Sequence, residues 1–531
     1  MTATAAGPHT RRWAGLAVLS ASLLLVVMDM TILNVALPEI SAQLRPGSVE
    51  LLWMVDVYSL IVAGLLVTAS ALGDRWGRKK MLLTGFTLFG LASVAVVTAD
   101  SPAEVIAIRA LLGVGGAMIM PSTLSMIRTL FTDARERATA LGIWAAMASL
   151  GGALGPIVGG LLLENFSWHA AFLVNVPVMV IAVVSGLILL PESRNPNPGR
   201  WDGAGAVLSV VGMAALAYAI KHGAEEGLDV RTAVTATVAA LALTWFVRRC
   251  LRRHDPLLDL RLFRDGAFTS GTIAALATSI AMAAMALLLA QWMQLVQGYS
   301  PLETGVRLLP MAVGAGICSP LAPALAARVG ARAVLSGGLL VSGAGFAVIN
   351  LLPLGYASVA VALLLIGAGM GALAIASAVI MSGSPAEKAG SAAAIEETSY
   401  EVGGTLGVAV LGSVAAALYR GEVPPGTPES LGTALEVAAA TQDAALALQA
   451  QRAFSDSLVL TSGYGAVLMV VAAALVWWRT PADLDLAAAP ADADPARSAR
   501  SARSVRGRRS SRPRIRRGAP VFALPPAEVR P

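Results

Sequence analysis

Gly151-Gly-Ala-Leu-Gly-Pro-Ile-Val158 returns 252 residues later as Gly403-Gly-Thr-Leu-Gly-Val-Ala-Val410. Two other stretches repeat in nearly the same register. Ala71-Leu-Gly-Asp-Arg-Trp-Gly-Arg-Lys79 returns as Ala324-Leu-Ala-Ala-Arg-Val-Gly-Ala-Arg332, an offset of 253, and Arg109-(x)3-Gly113-x-Gly115 returns as Leu363-(x)3-Gly367-x-Gly369, an offset of 254. Three registers agreeing within two residues across a 531-residue chain mark an internal duplication. Repeats packed around a central site are the usual build of secondary transporters, where one half rocks against the other. The second copy has lost charge, with Ala327 for Asp74 and Leu363 for Arg109. Coupling chemistry is therefore expected mainly in the first half.

Working outward, the composition is that of a membrane protein: 56% hydrophobic residues, 14% charged and a positive mean hydropathy. Apolar runs of about 20 residues suit a helical span. Fourteen are predicted, at 14–36, 50–72, 81–99, 102–125, 137–161, 167–190, 203–221, 232–250, 267–292, 305–327, 332–352, 355–381, 389–418 and 456–478. The expectation is an all-α integral membrane protein. Two six-helix bundles occupy 14–190 and 267–480, and two inserted transmembrane helices with their linkers occupy 191–266. An outer loop at 419–455, amphipathic in its Ala and Leu residues, reads as a short helical hairpin.

Loop charge sets the orientation. With both termini inside, outer loops carry six Lys/Arg (Arg45, Lys221, Arg231, Arg307, Arg420, Arg452), and inner loops carry twenty-one before the tail. The N-terminal 1–13 and the tail 481–531 are then cytoplasmic, and the chain is multi-pass in the cell (cytoplasmic) membrane. Residues 491–531 hold eleven Arg against three acids, so the formal charge of +6 belongs to a tail that is disordered on composition. Arg11-Arg12 before an apolar run imitates a signal peptide, but no small-residue cleavage site follows and Asp29 interrupts the run. Cys250 and Cys318 lie in an inner loop and a span, so no disulfide is expected.

Six ionisable residues fall inside spans: Asp29, Asp56, Arg109, Glu396, Glu397 and Glu401. Each costs at least about 2.5–3.5 kcal/mol at bilayer depth, which by default marks an ion or substrate pathway. At ~1.5 Å per residue, Asp29, Asp56 and Arg109 lie roughly 9–10 Å in from the outer side and can form one network. None of the four histidines reaches mid-membrane, so the titrating group is expected to be a carboxylate. Glu397 and Glu401, at i and i+4, share a helix face near the midplane, with Glu396 one helical step away and Tyr400 beside them. Met282, Met285, Trp292 and Met293 of the ninth span are candidates for a pliable cavity wall.

These motifs resemble the major facilitator superfamily, specifically its fourteen-span drug:proton antiporters, over residues 14 to about 480. Asp29-Met-Thr-Ile-Leu-Asn-Val-Ala-Leu-Pro38 resembles the family's first-span signature. Leu72-Gly-Asp-Arg-Trp-Gly-Arg-Lys-Lys80 is similar to the loop between spans two and three, with Ser70 at the usual first glycine. The fourth-span motif is resembled by Arg109-Ala-Leu-Leu-Gly-Val-Gly-Gly, with Leu112 at a common glutamine. Gly151, Gly155, Pro156, Gly159 and Gly160 resemble the fifth-span antiporter motif. Trp53-Met-Val-Asp-Val-Tyr-Ser59 and Glu396-Glu-Thr-Ser-Tyr-Glu401 narrow the resemblance to the branch exporting antiseptics and quaternary ammonium compounds.

The resemblance implies a major facilitator fold and a multidrug efflux antiporter, with antibiotic and antiseptic resistance as its consequence. Proton coupling falls to Asp29, Asp56 and Arg109. Binding of lipophilic cations falls to Glu396, Glu397, Glu401, Tyr400, Met285 and Trp292. Asp74, Arg75, Gly77 and Arg78 form a conformational clasp, and the fifth-span glycines with Pro156 a packing and bending device. The partners expected are small lipophilic cations, protons and membrane lipids, with no nucleic acid, no metal and no cofactor beyond the proton gradient, in a monomer. The runner-up is export of a self-made metabolite by the same mechanism. Nutrient uptake by symport is disfavoured by the span-five motif and the stacked glutamates, and no nucleophile–base pair or metal-ligand spacing suggests an enzyme.

Overall fold

The computed structural model describes residues 9–46, 48–195, 201–225, 229–382, 384–385, 388–424, 427–428, 430–482 and 484. The Arg-rich tail and the first eight residues lie outside them. In chain order the helices are α1 (His9–Leu44), α2 (Ser48–Trp76), α3 (Arg78–Ala95), α4 (Pro102–Leu130), α5 (Ala134–Leu163), α6 (Ala170–Leu173) and α7 (Asn175–Leu189). Then come α8 (Gly203–Glu225), α9 (Val230–Arg252), α10 (Gly266–Gln291), α11 (Pro301–Val329), α12 (Ala331–Leu351), α13 (Tyr356–Gly369) and α14 (Gly371–Ser382). The chain closes with α15 (Ala389–Leu406), α16 (Gly412–Glu422), α17 (Leu431–Thr441) and α18 (Ala444–Arg479). Fourteen helical segments of the described residues are long and apolar enough to cross a membrane. Two of them contain a π-helical turn, at Trp292–Val296 and Gly407–Leu411.

Packing repeats as the sequence does. In the first bundle α1 packs on α5, α2 on α4 and α3 on α7. In the second, the helices at matching places in the repeat make the same pairs: α10 on α15, α11 on α13 and α12 on α18. The inserted pair α8 and α9 packs on itself, and α8 lies along α2. The bundles meet where α5 runs against α11, and where α15 packs on α2 and α4.

Local sequence explains the helix ends. Ser101-Pro102 and Ser300-Pro301 open α4 and α11 with the same capping box, each serine accepting from the glutamate three residues on and the glutamate accepting from the serine N–H. Gly77 and Gly330 sit at φ 115° and 89° in the turns after α2 and α11. Only glycine adopts such angles without strain, which accounts for this glycine persisting in both repeats where Asp74 and Arg78 become Ala327 and Ala331.

The far end of the last span differs from expectation. The predicted hairpin in 419–455 has only its first arm as a separate helix, α17. Its second arm is continuous with the final span, so α18 starts at Ala444 and extends about 54 Å over 36 residues. Gln442, at φ 55°, makes the turn, and Leu431, Ala434 and Ala438 of α17 are buried. Periodicity could not separate the two because an amphipathic stretch and an apolar span are here one unbroken helix.

Candidate functional site

The first bundle holds a buried ion pair. Arg109 Nη1 on α4 donates to Asp29 Oδ2 on α1 at 2.9 Å, with both side chains at most 2% exposed. Asn175, at the start of α7, donates to Asp29 Oδ1 at 2.7 Å and to Ser93 Oγ on α3 at 3.3 Å. Arg109 Nε donates to the Met54 carbonyl at 3.2 Å, and its guanidinium lies 4.6 Å from the Tyr58 ring centre. Five helices of the bundle thus converge on one charge pair. Gly113 and Gly116 permit it: a Cβ on either would come within 2.8 Å of a Tyr58 oxygen.

Asp56 does not join this network. It pairs with Lys221 near the end of α8, and Lys221 Nζ also donates to Ser59 Oγ at 3.1 Å. Equal depth along two helices did not mean proximity, because Asp56 faces α8 while Arg109 meets the Met54 carbonyl and the Tyr58 ring. The sequence offered a signal in Lys221, whose charge reads equally well as a loop residue. Asn175 carried no signal, being one neutral polar residue inside the predicted span 167–190.

On α15, Glu396 and Glu397 are buried and Glu401 is half-buried. Ser377 on α14 donates to Glu396. Among the described residues, Glu396 Oε2 and Glu397 Oε1 have no hydrogen-bond partner. Glu397 lies in the field of both neighbouring acids, and Tyr58 in that of Asp29, Arg109 and Glu401. Glu401 opens into a small cleft with Val402 and Thr405, walled by Ala63 of α2 and by Met213, Leu216, Ala217 and Ile220 of α8.

Tyr400 Oη donates to Met282 Sδ at 3.4 Å, and Ser149 of α5 approaches the same sulfur at 3.9 Å. Met282 is thus the ninth-span methionine at the seam between bundles. Met285 and Trp292, expected to line a cavity, are instead packed in the core of the second bundle together with Met293. A uniformly apolar span does not reveal which of its residues pack inward.

The fifth-span glycines, on α5, line a seam against α1. A Cβ on Gly151 would lie 2.5 Å from the Leu24 carbonyl oxygen. On Gly155 it would lie 2.9 Å from the Met28 carbonyl, and on Gly159 2.9 Å from Ile32. This seam presses on the turn of α1 that carries Asp29. Gly160 faces Leu302 of α11, and Gly305 of α11 faces Pro156 and Ile157, so the same motif also packs across the bundle boundary.

At the membrane face that carries the ends of α1 and α18, the halves are fastened together. Arg78 pairs with Asp74 at 2.8 Å, and the Asp74 carboxylate abuts Gly390 of α15. Ser70 Oγ donates to the Gly390 carbonyl at 2.7 Å. Arg128 at the end of α4 donates to the Ser384 carbonyl at 2.5 Å. Ser70, which replaces the usual glycine of the motif, is therefore one of the cross-bundle bonds. Arg75 reaches instead over the Trp201 ring at 5.8 Å. Lys79 Nζ donates at 2.8 Å to the Leu187 and Leu190 carbonyls, at the negative end of α7.

Fourteen candidate spans in two repeated bundles, with charged groups buried among them, are the build of a membrane transporter. Residues 19–408 match the model of the Major Facilitator Superfamily, and the chain belongs to that family. The multidrug efflux pump LfrA of Mycolicibacterium smegmatis is 41% identical over 483 residues, covering 88% of this chain and 96% of the relative. The methyl viologen resistance protein SmvA of Salmonella typhimurium is 35% identical over 481 residues, covering 87% and 97%. Among solved structures, the human organic anion transporter MFSD10 superposes with a TM-score of 0.59 at 14% identity, covering 88% of this chain and all of that one, a likeness of fold.

Proposed function

We propose that this chain exports drugs as a proton-coupled antiporter for lipophilic cations, working by alternating access across the cytoplasmic membrane with both termini inside. The observation that carries the reading is α15, which presents Glu396, Glu397 and Glu401 within two turns, two of them with buried oxygens that have no partner among the described residues. Three acids in a water-poor site cannot all carry charge, so protons and a cation are alternative occupants. Drug efflux is supported by the relatives, which are named as a multidrug efflux pump and a resistance protein.

The Asp29–Arg109 pair supplies a second proton site. Protonating Asp29 would leave Arg109 with the Met54 carbonyl and the Tyr58 ring, loosening α1 from α4. Movement of α1 is transmitted through the Gly151–Gly155–Gly159 seam to α5, and from α5 to α11. On this reading the contacts of Asp74, Ser70 and Arg128 hold the cytoplasmic face shut, and they break when the protein opens inward. Loading the protein into proteoliposomes, imposing a proton gradient and following ethidium accumulation tests the function. Accumulation that requires the gradient and collapses with a protonophore is expected; uptake indifferent to the gradient would refute proton coupling.

A further inference from the structure

Lys221 is an ammonium on a flexible stem where two bundles and the inserted helix α8 come together. It pairs with Asp56 of α2 and donates to Ser59, and its chain neighbour Ile220 lines the cleft into which Glu401 opens. The cleft into which Glu401 opens is walled on one side by α8 itself, from Met213 to Ile220. The turn of α8 that carries Lys221 is clamped to α2. Tyr218 stacks on Trp53 with ring centres 6.2 Å apart, and His222 stacks on Tyr218 at 5.4 Å. Lys221 is 26% exposed and Asp56 12%, so the pair is reachable. A tethered cation paired with a carboxylate of the first bundle thus adjoins, along α8, the wall of the cleft that holds a carboxylate of the second.

Resting on the function proposed above, we infer that Lys221 is an internal counter-cation that a cationic cargo must displace from the Asp56–Glu401 position, and so sets which cations the site accepts. With Lys221 in place, the cleft offers less net negative charge than its carboxylates would suggest, which disfavours dications most. When cargo arrives at Glu401, the flexible stem lets Lys221 withdraw fully to Asp56 without unfolding α8. α8 is also held to α2 without the ammonium, by aromatic stacking and by close packing of Gly64 on Val210.

Two substitutions push the balance in opposite directions. Lys221→Met removes the competitor; Asp56→Asn leaves Lys221 to Glu401 alone. Full-length protein in nanodiscs is titrated with ethidium, a monocation, and dequalinium, a bis-quaternary cation. Lys221→Met is expected to bind dequalinium about tenfold tighter, the size of one partly screened charge, with a smaller gain for ethidium. Asp56→Asn is expected to weaken both, and Lys221→Arg to stay near wild type. Equal losses for both cations in Lys221→Met, or shifts of the two variants in the same direction, would make Lys221 a structural residue and overturn the inference. Should Lys221→Met fail to fold, weakening by Asp56→Asn supports the inference and unchanged or tighter binding overturns it. If wild type binds neither cation, the proposed function fails and the inference with it.

Discussion

Replacing Asp29 with Asn removes one partner of a fully buried ion pair while preserving volume. Arg109 is 2% exposed and cannot give up its proton, so its charge stays in the bundle interior. Breaking a buried pair by removing one partner costs about 3–5 kcal/mol. The asparagine carbonyl can still accept from Arg109, and the Met54 carbonyl at 3.2 Å and the Tyr58 ring at 4.6 Å remain. The expected loss is therefore near the lower end, about 3 kcal/mol, or roughly two decades in any equilibrium that depends on the pair. Coupled transport should fall by at least that factor, because the neutral amide can neither bind nor release a proton. Pump-out of ethidium from energised vesicles is the assay, normalised to protein in the membrane, with Asp29→Glu as the titratable control. Near wild-type rates in Asp29→Asn would refute Asp29 as a proton carrier. Loss of rate shared equally by Asp29→Glu would point to packing rather than protonation.

Other perturbations test other parts. Glu397→Gln and Glu401→Gln should shift cargo preference, with the larger loss for bis-quaternary over mono-quaternary compounds; competition assays showing equal loss of all cargo together with proton release would assign the glutamates to coupling. Gly155→Ala should lose transport and cost about 1–3 kcal/mol by overpacking against Thr31 and the Met28 carbonyl on α1, read by thermal melting. Truncation after Pro490 should leave ethidium efflux within about twofold of wild type, since every span precedes it; inactivity at normal membrane abundance would make the tail a working part. Asp229, outside the spans, is held down to about 2 chiefly by the Thr232 backbone N–H and further by His222. Its cap on α9 is therefore present above the ordinary carboxylate range and lost as pH falls toward 2, so Asp229→Asn should flatten the acid limb of α8–α9 protection in hydrogen exchange.

The fold was largely legible because its cues are ones a chain cannot hide. Apolar runs must match the bilayer, and a duplicated gene leaves matching glycines such as Gly77 and Gly330. The pair Asp29–Arg109 was also legible, since ionisable groups at depth are rare. What the sequence did not reveal is rotation about helix axes. That angle turns Asp56 toward Lys221 instead of Arg109, points Met282 rather than Met285 to the seam, and brings Asn175 to Asp29. The helices concerned are apolar on nearly every side, so no periodicity records the angle. Ser70 shows the same gap from another side: the sequence marks it only as a departure from the family motif, whereas its hydroxyl fastens α2 to Gly390.

Exchange of protons for a cation at the bundle boundary is tested most directly by mixing purified, weakly buffered protein with ethidium or dequalinium and recording pH. Stoichiometric acidification is expected in wild type, reduced in Glu397→Gln and in Glu401→Gln, with cation binding measured in the same sample. Saturable cation binding that releases no proton at any pH between 6 and 8, the window of about two units around neutrality in which such exchange must operate, would contradict the exchange.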